Sequence, residues 1–523
     1  MKLKYTLLIS MFITLQLLAS SSISYSMQEK TLNEAKTQSV VSKSIKNLYD
    51  IKTDSIPPDN TDMRNISSIH LSREMVPGWN VGNSLEAIDG ETSWGNPRIS
   101  QHLIDSIKVA GFKAIRIPVA WSKFSNAANF EIEQSWLDRV EEVVNYVLSN
   151  NMYAIINEHW DNGWIQPTYA QEAYVNQRLA AMWKQIAYHF RDYDDRLLFA
   201  GTNEVMVTNN YGTPTKEYYT VQNGYNQTFV NAVRSTGGRN YYRFLLVQGF
   251  NTNIDHTINF FVMPKDVIDN RLMVEVHYYD PYNFTINSNS TITQWGKNAT
   301  DPKKTETWAN ETWANIQFNK MKTKFIDKGV AVILGEYGVI ARTNLGSPAL
   351  NAEHAQYRKY YMEFITGSIV KHGLVPFYWD NGGTGNNGFG IFNRLTGAKA
   401  YPEIIKAIVE AVNINTDIGK FSEEEIPISF NLMQNYPNPF NPETTISFSI
   451  PAAERPLTAS LRVYDILGRE IATLVNEEKQ PGDYSAKFSI KDFENVGPIS
   501  SSVYFYKLQA GDYSQVKKMI LLK

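Results

Sequence analysis

Leu197-Leu198-Phe199-Ala200-Gly201-Thr202-Asn203-Glu204 is a short apolar run that stops at a carboxylate. Seven similar runs flank it: Gly78 to Val81, Phe112 to Val119, Met152 to Asn157, Phe244 to Gln248, Leu272 to Val276, Val330 to Leu334 and Leu374 to Trp379. Stretches with helical spacing lie between them, such as Leu103-Ile107-Ala110, Leu137-Val140-Val144-Val147 and Ile404-Ile405-Ile408-Val412. Runs this short and this continuously apolar suit strands of a parallel sheet covered on both faces. Eight strand–helix units of about 40 residues each predict an α/β fold, a (β/α)8 barrel with long loops. The competitor is an open doubly wound sheet, but no glycine-rich phosphate loop follows any early run.

Upstream of the barrel, Lys2 and Lys4 precede a largely apolar run from Leu7 to Leu18, and mostly small residues follow from Ala19 to Ser26. This is the pattern of a signal peptide, expected over 1–26, and the run is too short to cross a bilayer comfortably. Residues 27–70 are polar and carry Pro57-Pro58, which predicts a spacer. The barrel is expected over 71–412 and an acidic connector with Glu423-Glu424-Glu425 over 413–429. Residues 430–523 alternate in short segments, such as Thr445 to Ile450 and Ser460 to Tyr464. Leu467-Gly468-Arg469 and Ala510-Gly511-Asp512 read as turns, so a small all-β sandwich is expected there.

Composition removes several functions. A net charge of −3 provides no broad footprint for nucleic acid, so none is expected as a partner. The absence of cysteine excludes a disulfide framework, a thiolate zinc site, a cysteine nucleophile and an iron–sulfur cluster. All 11 tryptophans lie before residue 380, so whatever they serve belongs to the barrel part.

In such a barrel the chemistry sits at the C-terminal ends of the strands. Run four ends in Thr202-Asn203-Glu204 and run seven in Gly335-Glu336-Tyr337, about three repeats apart, which sets two carboxylates facing each other across the mouth. Two carboxyl groups about 5 Å apart over a sugar ring suit a retaining glycosidase. A single glutamate at a strand end is more often a structural ion pair, but two in phase with the repeat favour chemistry. Arg116, amid Ala114-Ile115-Arg116-Ile117-Pro118, needs an anion, and a nucleophilic carboxylate would supply it and stay ionised. His159 and His277 stand at the ends of runs three and six, whereas His102, His189, His354 and His372 fall in helical stretches as packing or surface residues. A metal site at the first two is discounted, because there is no HExxH pattern and no third clustered ligand.

Gly78-Trp79-Asn80-Val81-Gly82-Asn83-Ser84-Leu85-Glu86 and Glu91 to Pro97 resemble the opening of glycoside hydrolase family 5, subfamily 4. Phe112 to Trp121, Asn203-Glu204, His277 to Tyr282, Gln294-Trp295-Gly296, Leu334 to Gly338 and Trp379 to Gly382 are similar to it as well, so the likeness runs through all eight units. It implies a secreted, retaining endo-β-1,4-glucanase with Glu336 as nucleophile and Glu204 as acid/base. It further implies that Asn203 binds the sugar 2-hydroxyl, that Arg116 and Tyr279 hold the nucleophile, and that His159 and His277 support the substrate and the acid/base. Trp379 would stack under the sugar next to the scissile bond, and Asn83 and Glu86 would contact sugars on the non-reducing side. Trp160 stands where the family often has a second histidine, which implies stacking in place of a hydrogen bond.

The implied ligand is a β-linked glucan: cellulose, mixed-linkage β-glucan or xyloglucan, with xylan as a further activity of the subfamily. Trp94, Trp121, Trp160, Trp164, Trp295 and Trp379 lie on loops or strand ends and are candidate sugar platforms. Trp136, Trp183, Trp308 and Trp313 have helical spacing and are expected to pack, and Trp79 is unassigned. The loop from Asp280 to Glu306 is expected to shape one end of the cleft. No metal, nucleotide or redox cofactor is called for, and the chain is expected to act as a monomer. The rival from another class is a catalytically inactive glycan-binding surface protein, disfavoured because both carboxylates and their supports are present.

Asn435 to Pro442, Val463 to Glu470, Val503 to Leu508 and Lys517 to Ile520 resemble the C-terminal sorting domain of the type IX secretion system. That implies secretion machinery as a partner and an extracellular or cell-surface location. A carbohydrate-binding module is the functional rival, but the segment has no tryptophan to form a platform.

Overall fold

The computed structural model describes residues 56–419 and 430–522, except 436, 452–456, 480–481 and 491–499. The signal-peptide reading, the spacer up to residue 55 and connector residues 420–429 lie outside the described residues. The chain forms two units, Met1–Asn415 and Thr416–Lys523.

In the first unit each apolar run becomes a strand of a closed parallel barrel. The strands are β1 (Gly78–Asn80), β2 (Ala114–Ile117), β3 (Tyr153–Asn157), β4 (Leu197–Ala200), β5 (Leu245–Gln248), β6 (Leu272–Tyr278), β7 (Ala331–Tyr337) and β8 (Val375–Tyr378), and β8 pairs back onto β1. Side chains alternate between interior and helix layer. Ala114, Ile155, Leu198, Leu246, Met273, Ile333 and Phe377 fill the lower interior, while Ile115, Ile156, Phe199, Val247, Val274 and Leu334 join the outer core. Higher on the same inward faces the residues turn polar: Asn80, Arg116, Asn157, Gln248, Glu275 and His277, all buried. The barrel is thus greasy at its base and hydrogen-bonding at its mouth.

The base is closed by a helix, Ser68–Glu74, whose N-cap Ser67 accepts from the His70 N–H and whose Leu71 packs with the lower interior. Ahead of it Met63 is buried, Arg64 Nε lies 2.8 Å from Asp195, and the Arg64 guanidinium donates to the Tyr153 hydroxyl at 3.0 Å. Part of the segment read as a spacer, Met63 and Arg64, thus packs against the barrel. Its polar composition concealed a segment whose few apolar side chains plug the barrel floor. At the other end, the helix Pro402–Gly419 continues through the expected boundary at 412 into the connector.

The second unit holds β9 (Asn431–Leu432), β10 (Glu443–Ile450), β11 (Leu457–Tyr464), β12 (Glu470–Lys479), β13 (Gly482–Ser489), β14 (Ser502–Ala510) and β15 (Tyr513–Leu521). They form a three-stranded sheet, β13-β10-β9, and a four-stranded sheet, β12-β11-β14-β15, all antiparallel. Leu432, Phe448, Leu461, Phe488, Tyr506 and Met519 share the core, as in a sandwich. Gly468 and Gly511 take positive φ at the two expected turns. Asn435 acts as a latch: its N–H donates to the Tyr506 hydroxyl at 2.8 Å, and its amide donates to the Pro437 carbonyl and to Thr444 Oγ1, each at 3.0 Å.

Gly78 sits directly against Phe377, and a Cβ at that position would overlap the ring. Gly78→Ala is expected to destabilise the barrel by about 1–3 kcal/mol, seen in calorimetry as a lower melting temperature for the barrel transition. An unchanged transition would mean that the Phe377 ring yields freely.

Candidate active site

The mouth is organised by a bulge. β6 and β7 pair Val276 with Leu334 and then His277 with Glu336, which leaves Gly335 as an extra residue. Bulges re-aim the side chain that follows them. Here the bulge puts Glu336 on the inward face, where Oε1 accepts from Arg116 Nη1 at 2.9 Å and Oε2 from the Tyr279 hydroxyl at 3.2 Å. Arg116 is fully buried and serves several acceptors. Nη2 donates to Asn203 Oδ1 at 2.6 Å and Nη1 to Asn80 Oδ1 at 3.1 Å. Nε lies 2.8 Å from Glu275 Oε1, an ion-pair contact without hydrogen-bond alignment. With its oxygen engaged, Asn203 offers a ligand only its NH2 group.

Glu204 follows β4 and meets His277 across the mouth, with its Oε1 2.8 Å from His277 Nδ1. Its side chain is 36 % exposed against 7 % for Glu336, so the two carboxylates differ in access to water. One oxygen of each, together with the His277 ring nitrogen, fall within 4.8 Å of one another. Glu204, His277 and Glu336 are a donor set that could hold a metal ion in principle. His277, however, is committed as a proton donor. Burial pulls its imidazole down, but Glu336, Glu204 and Glu275 outweigh that and push it up to about 9. In that state the imidazolium offers no lone pair, so a metal ion would have to displace its proton.

Arg116 was expected to hold Glu336 ionised. Desolvation, the largest influence, raises the Glu336 carboxyl from its ordinary value, while His277 and Arg116 do favour its ionised form. Burial, reinforced by Glu336, pushes Tyr279 well above the usual phenol range, so it remains a donor. Desolvation drives His159 well below its ordinary value, and the charges of Arg116 and His277 add to this. Its tautomer follows from its neighbour. Asn157 Oδ1 accepts the Val119 N–H at 3.2 Å, so Asn157 Nδ2 faces His159 Nδ1 at 3.0 Å and the His159 proton sits on Nε2.

The His159 ring lies parallel to Trp379, 5.8 Å between centroids with 3° between planes. Gly82 makes room for that indole, since a Cβ there would fall 2.7 Å from its ring. Trp160 is 50 % exposed at the start of a tight loop in which Asp161, Asn162 and Gly163 all have positive φ. Asp161 anchors the loop, accepting from the N–H groups of Trp121 and Ser122, the Ser122 hydroxyl and Trp164 Nε1.

Several expected sugar contacts are corrected. Trp295 is 1 % exposed, donates Nε1 to the Ala309 carbonyl at 2.7 Å and packs edge-on to Tyr361, so it belongs to the core. Trp121 is equally buried, bonded to the Asn157 carbonyl at 2.8 Å, and Trp164 is half-buried under Arg178. A place on a loop says nothing about whether the loop folds back, and these do. Trp94, Trp160 and Trp379 keep exposed surface. Trp308, expected to pack on a helix, lies outside any helix and is 48 % exposed. Glu86 turns into its own loop, its carboxylate accepting from the N–H groups of Asn83 and Ser84. Burial raises it to about 7, so it shapes the turn at Asn83, whose φ is +56°, and does not face the cleft as a free carboxylate. Trp79 is buried in the outer core and donates to Asp380 Oδ2 at 3.3 Å.

Sequence reasoning missed Glu275, Asn80, Asn157 as the His159 partner, Gln248 and Asp380. The available signal was a lone polar residue inside an apolar run, most visibly Glu275 within Leu272 to Val276.

An eight-stranded barrel whose mouth brings together a carboxylate on β7 gripped by one buried arginine and a second from beyond β4 held by His277 defines a barrel glycosidase. The family described as cellulase (glycosyl hydrolase family 5) matches residues 80–385, and the chain belongs to it. The secretion system C-terminal sorting domain matches residues 434–522. The chain is 45 % identical over 372 residues to a xyloglucan-specific endo-beta-1,4-glucanase of Bacteroides ovatus, covering 68 % of this chain and 73 % of that protein. Among solved structures it is similar to a Bacteroides ovatus GH5 xyloglucanase in complex with a XXXG heptasaccharide, with a TM-score of 0.65, 44 % identity and coverage of 68 % and 79 %. It is also similar to a GH5-4 broad specificity endoglucanase from Bacteroides salanitronis, with a TM-score of 0.62, 38 % identity and coverage of 67 % and 96 %. The chain is a glycoside hydrolase acting on β-glucans, and its C-terminal domain marks it for export to the cell surface or beyond.

The tryptophan assignments separate in measurement. Trp295→Ala is expected to cost about 3–5 kcal/mol of stability and leave KM unchanged, read by calorimetry and by kinetics at permissive temperature. Trp379→Ala is expected to raise KM with the melting temperature little altered.

Proposed function

We propose that the protein is an exported, retaining endo-β-1,4-glucanase in which Glu336 is the nucleophile and Glu204 the acid/base. The observation that carries this is the pair itself: a buried Glu336 gripped by Arg116 and Tyr279, within 4.8 Å of a half-exposed Glu204 through their nearest oxygens. That spacing suits attack by one carboxylate with no room for water between them. Glu336 attacks the anomeric carbon while Glu204 gives its proton to the departing glycosidic oxygen. The glucosyl ester that forms removes the Glu336 charge, and Glu204, now an anion, takes a proton from the water that attacks the same carbon and releases Glu336. The Asn203 NH2 and the His159 Nε2–H are donors suited to sugar hydroxyls, and Trp379 offers a flat face to the ring.

Within this reading xyloglucan is the favoured polymer, because a relative at 45 % identity is xyloglucan-specific. A signal peptide over residues 1–26 supplies the first export step and the sorting domain the second. Deleting residues 430–523 is expected to abolish appearance at the cell surface while leaving the barrel active.

Glu336→Gln is expected to lower kcat at least about 10³-fold while the chain stays folded. Glu204→Gln is expected to lose about 10²–10⁴-fold on polysaccharide but far less on a dinitrophenyl cellobioside, whose leaving group needs no proton. Proton NMR of the first product is expected to show the β anomer. An α anomer, or a Glu336→Gln enzyme at wild-type rate, would overturn the assignment. Reducing-end release from xyloglucan, barley β-glucan, carboxymethylcellulose and xylan ranks the polymers.

A further inference from the structure

Glu275 is a carboxylate at the mouth that no step above uses, and it lies at the centre of the network. It is wholly buried on β6, two residues before His277 and on the same face of the strand. An ion-pair partner and two hydrogen-bonding groups converge on it. Arg116 Nε is 2.8 Å from Oε1, His277 Nε2 is 3.4 Å from the same oxygen, and Gln248 Nε2 donates to Oε2 at 2.7 Å. Gln248 cannot turn its oxygen toward Glu275, because that oxygen accepts from the N–H and the hydroxyl of Thr202. Only a side chain that accepts at both oxygens satisfies all three neighbours, and a carboxylate is the one protein side chain that does so. The backbone has made space for it as well: a Cβ on the bulge residue Gly335 would overlap Glu275 Oε1.

We propose that Glu275 is the positioning residue for both halves of the reaction. On one side it braces Arg116, which grips Glu336 and Asn203. On the other it holds His277 as a two-proton donor whose Nδ1–H is aimed at Glu204. This inference rests on the roles assigned to Glu336 and Glu204. The charged groups that act on it are Arg116 from β2, His277 from β6 and Glu336 from β7, and through the last two it is linked to Glu204 beyond β4 and Tyr279 in the loop after β6. Gln248 on β5 faces it without charge. Among these groups Glu275 is the fixed anion that balances two buried cations, Arg116 and His277, when Glu336 is neutralised as the sugar ester.

The test is Glu275→Gln, which keeps the shape and removes the charge. kcat is expected to fall about 10–100-fold with KM unchanged within about twofold. Because an anion has been removed, His277 and Glu336 give up their protons at lower pH. The whole pH–rate profile is therefore expected to move toward acid by about one unit. In histidine-labelled protein the NMR titration of His277 is expected to move the same way. A Glu275→Gln enzyme whose pH profile and His277 titration both superimpose on wild type would overturn the proposal, whatever its kcat. Gly335→Ala is the second variant: it retains the charge and displaces the carboxylate. It is expected to lower kcat to a similar degree, and wild-type kcat there would also count against positioning. Wild-type rates on polysaccharide in Glu336→Gln or Glu204→Gln would instead remove the underlying roles, so the two failures are distinguishable.

Discussion

The mouth of the barrel depends on one buried guanidinium. Arg116 has no exposed surface and stands inside a ring of strands, a place where an unpaired charge would cost several kcal/mol. It is tolerated because Glu336, Glu275, Asn203 and Asn80 all turn acceptors toward it. Those four residues come from β7, β6, the end of β4 and β1, so one cation sets the relative positions of most of the site. Removing any one acceptor would do more than loosen a bond. It would leave part of a buried cation uncompensated, and the remaining partners would have to move.

The charge state of His277 follows from the same constraint. Burial alone would strip its proton, yet three carboxylates surround it and hold the proton in place. Two cations and three carboxylates then share a small volume. The arrangement is neutral when one carboxyl carries a proton, which is the state an acid catalyst needs before bond cleavage. Burial of Glu336 works against its ionisation, and Arg116 and His277 work for it. The nucleophile is therefore held by geometry and neighbouring charge in a setting that gives it little water, where an attacking oxygen has little solvation to shed.

The sequence was legible where local pattern and tertiary demand agree. Eight apolar runs became eight strands because a covered parallel strand is apolar on both faces over most of its length. Glu204, Glu336, Arg116 and His277 were legible because polar residues at the ends or in the middle of such runs need a reason. What escaped was information held between elements. Glu275 lies inside a run and is explained only by Arg116 and His277. Trp295 and Glu86 resemble cleft residues in sequence, yet their loops fold back and bury them. Met63 and Arg64 lie in a segment whose composition is that of a spacer, and only the open floor of the barrel gives them a place. Absent cysteine, this exported chain holds its first unit together by the apolar lower interior and the outer helix layer.

Three glycines show how a narrow barrel accommodates this chemistry. Gly78 lies against the Phe377 ring, Gly82 against the Trp379 indole and Gly335 against the Glu275 carboxylate. None of the three has positive φ, so what each supplies is missing volume, not an unusual turn. At the floor, that volume admits an aromatic ring that seals the apolar interior. At the rim it lets an indole lie flat and parallel to His159. At the bulge it admits a charge between two cations. An eight-stranded barrel has room for its side chains only in layers, so each large or charged group at one position requires a small neighbour at the next. The short segments Gly-Trp-Asn-Val-Gly and Leu-Gly-Glu-Tyr-Gly are where that demand is written into the chain, and the residues they make room for come from strands far away in sequence.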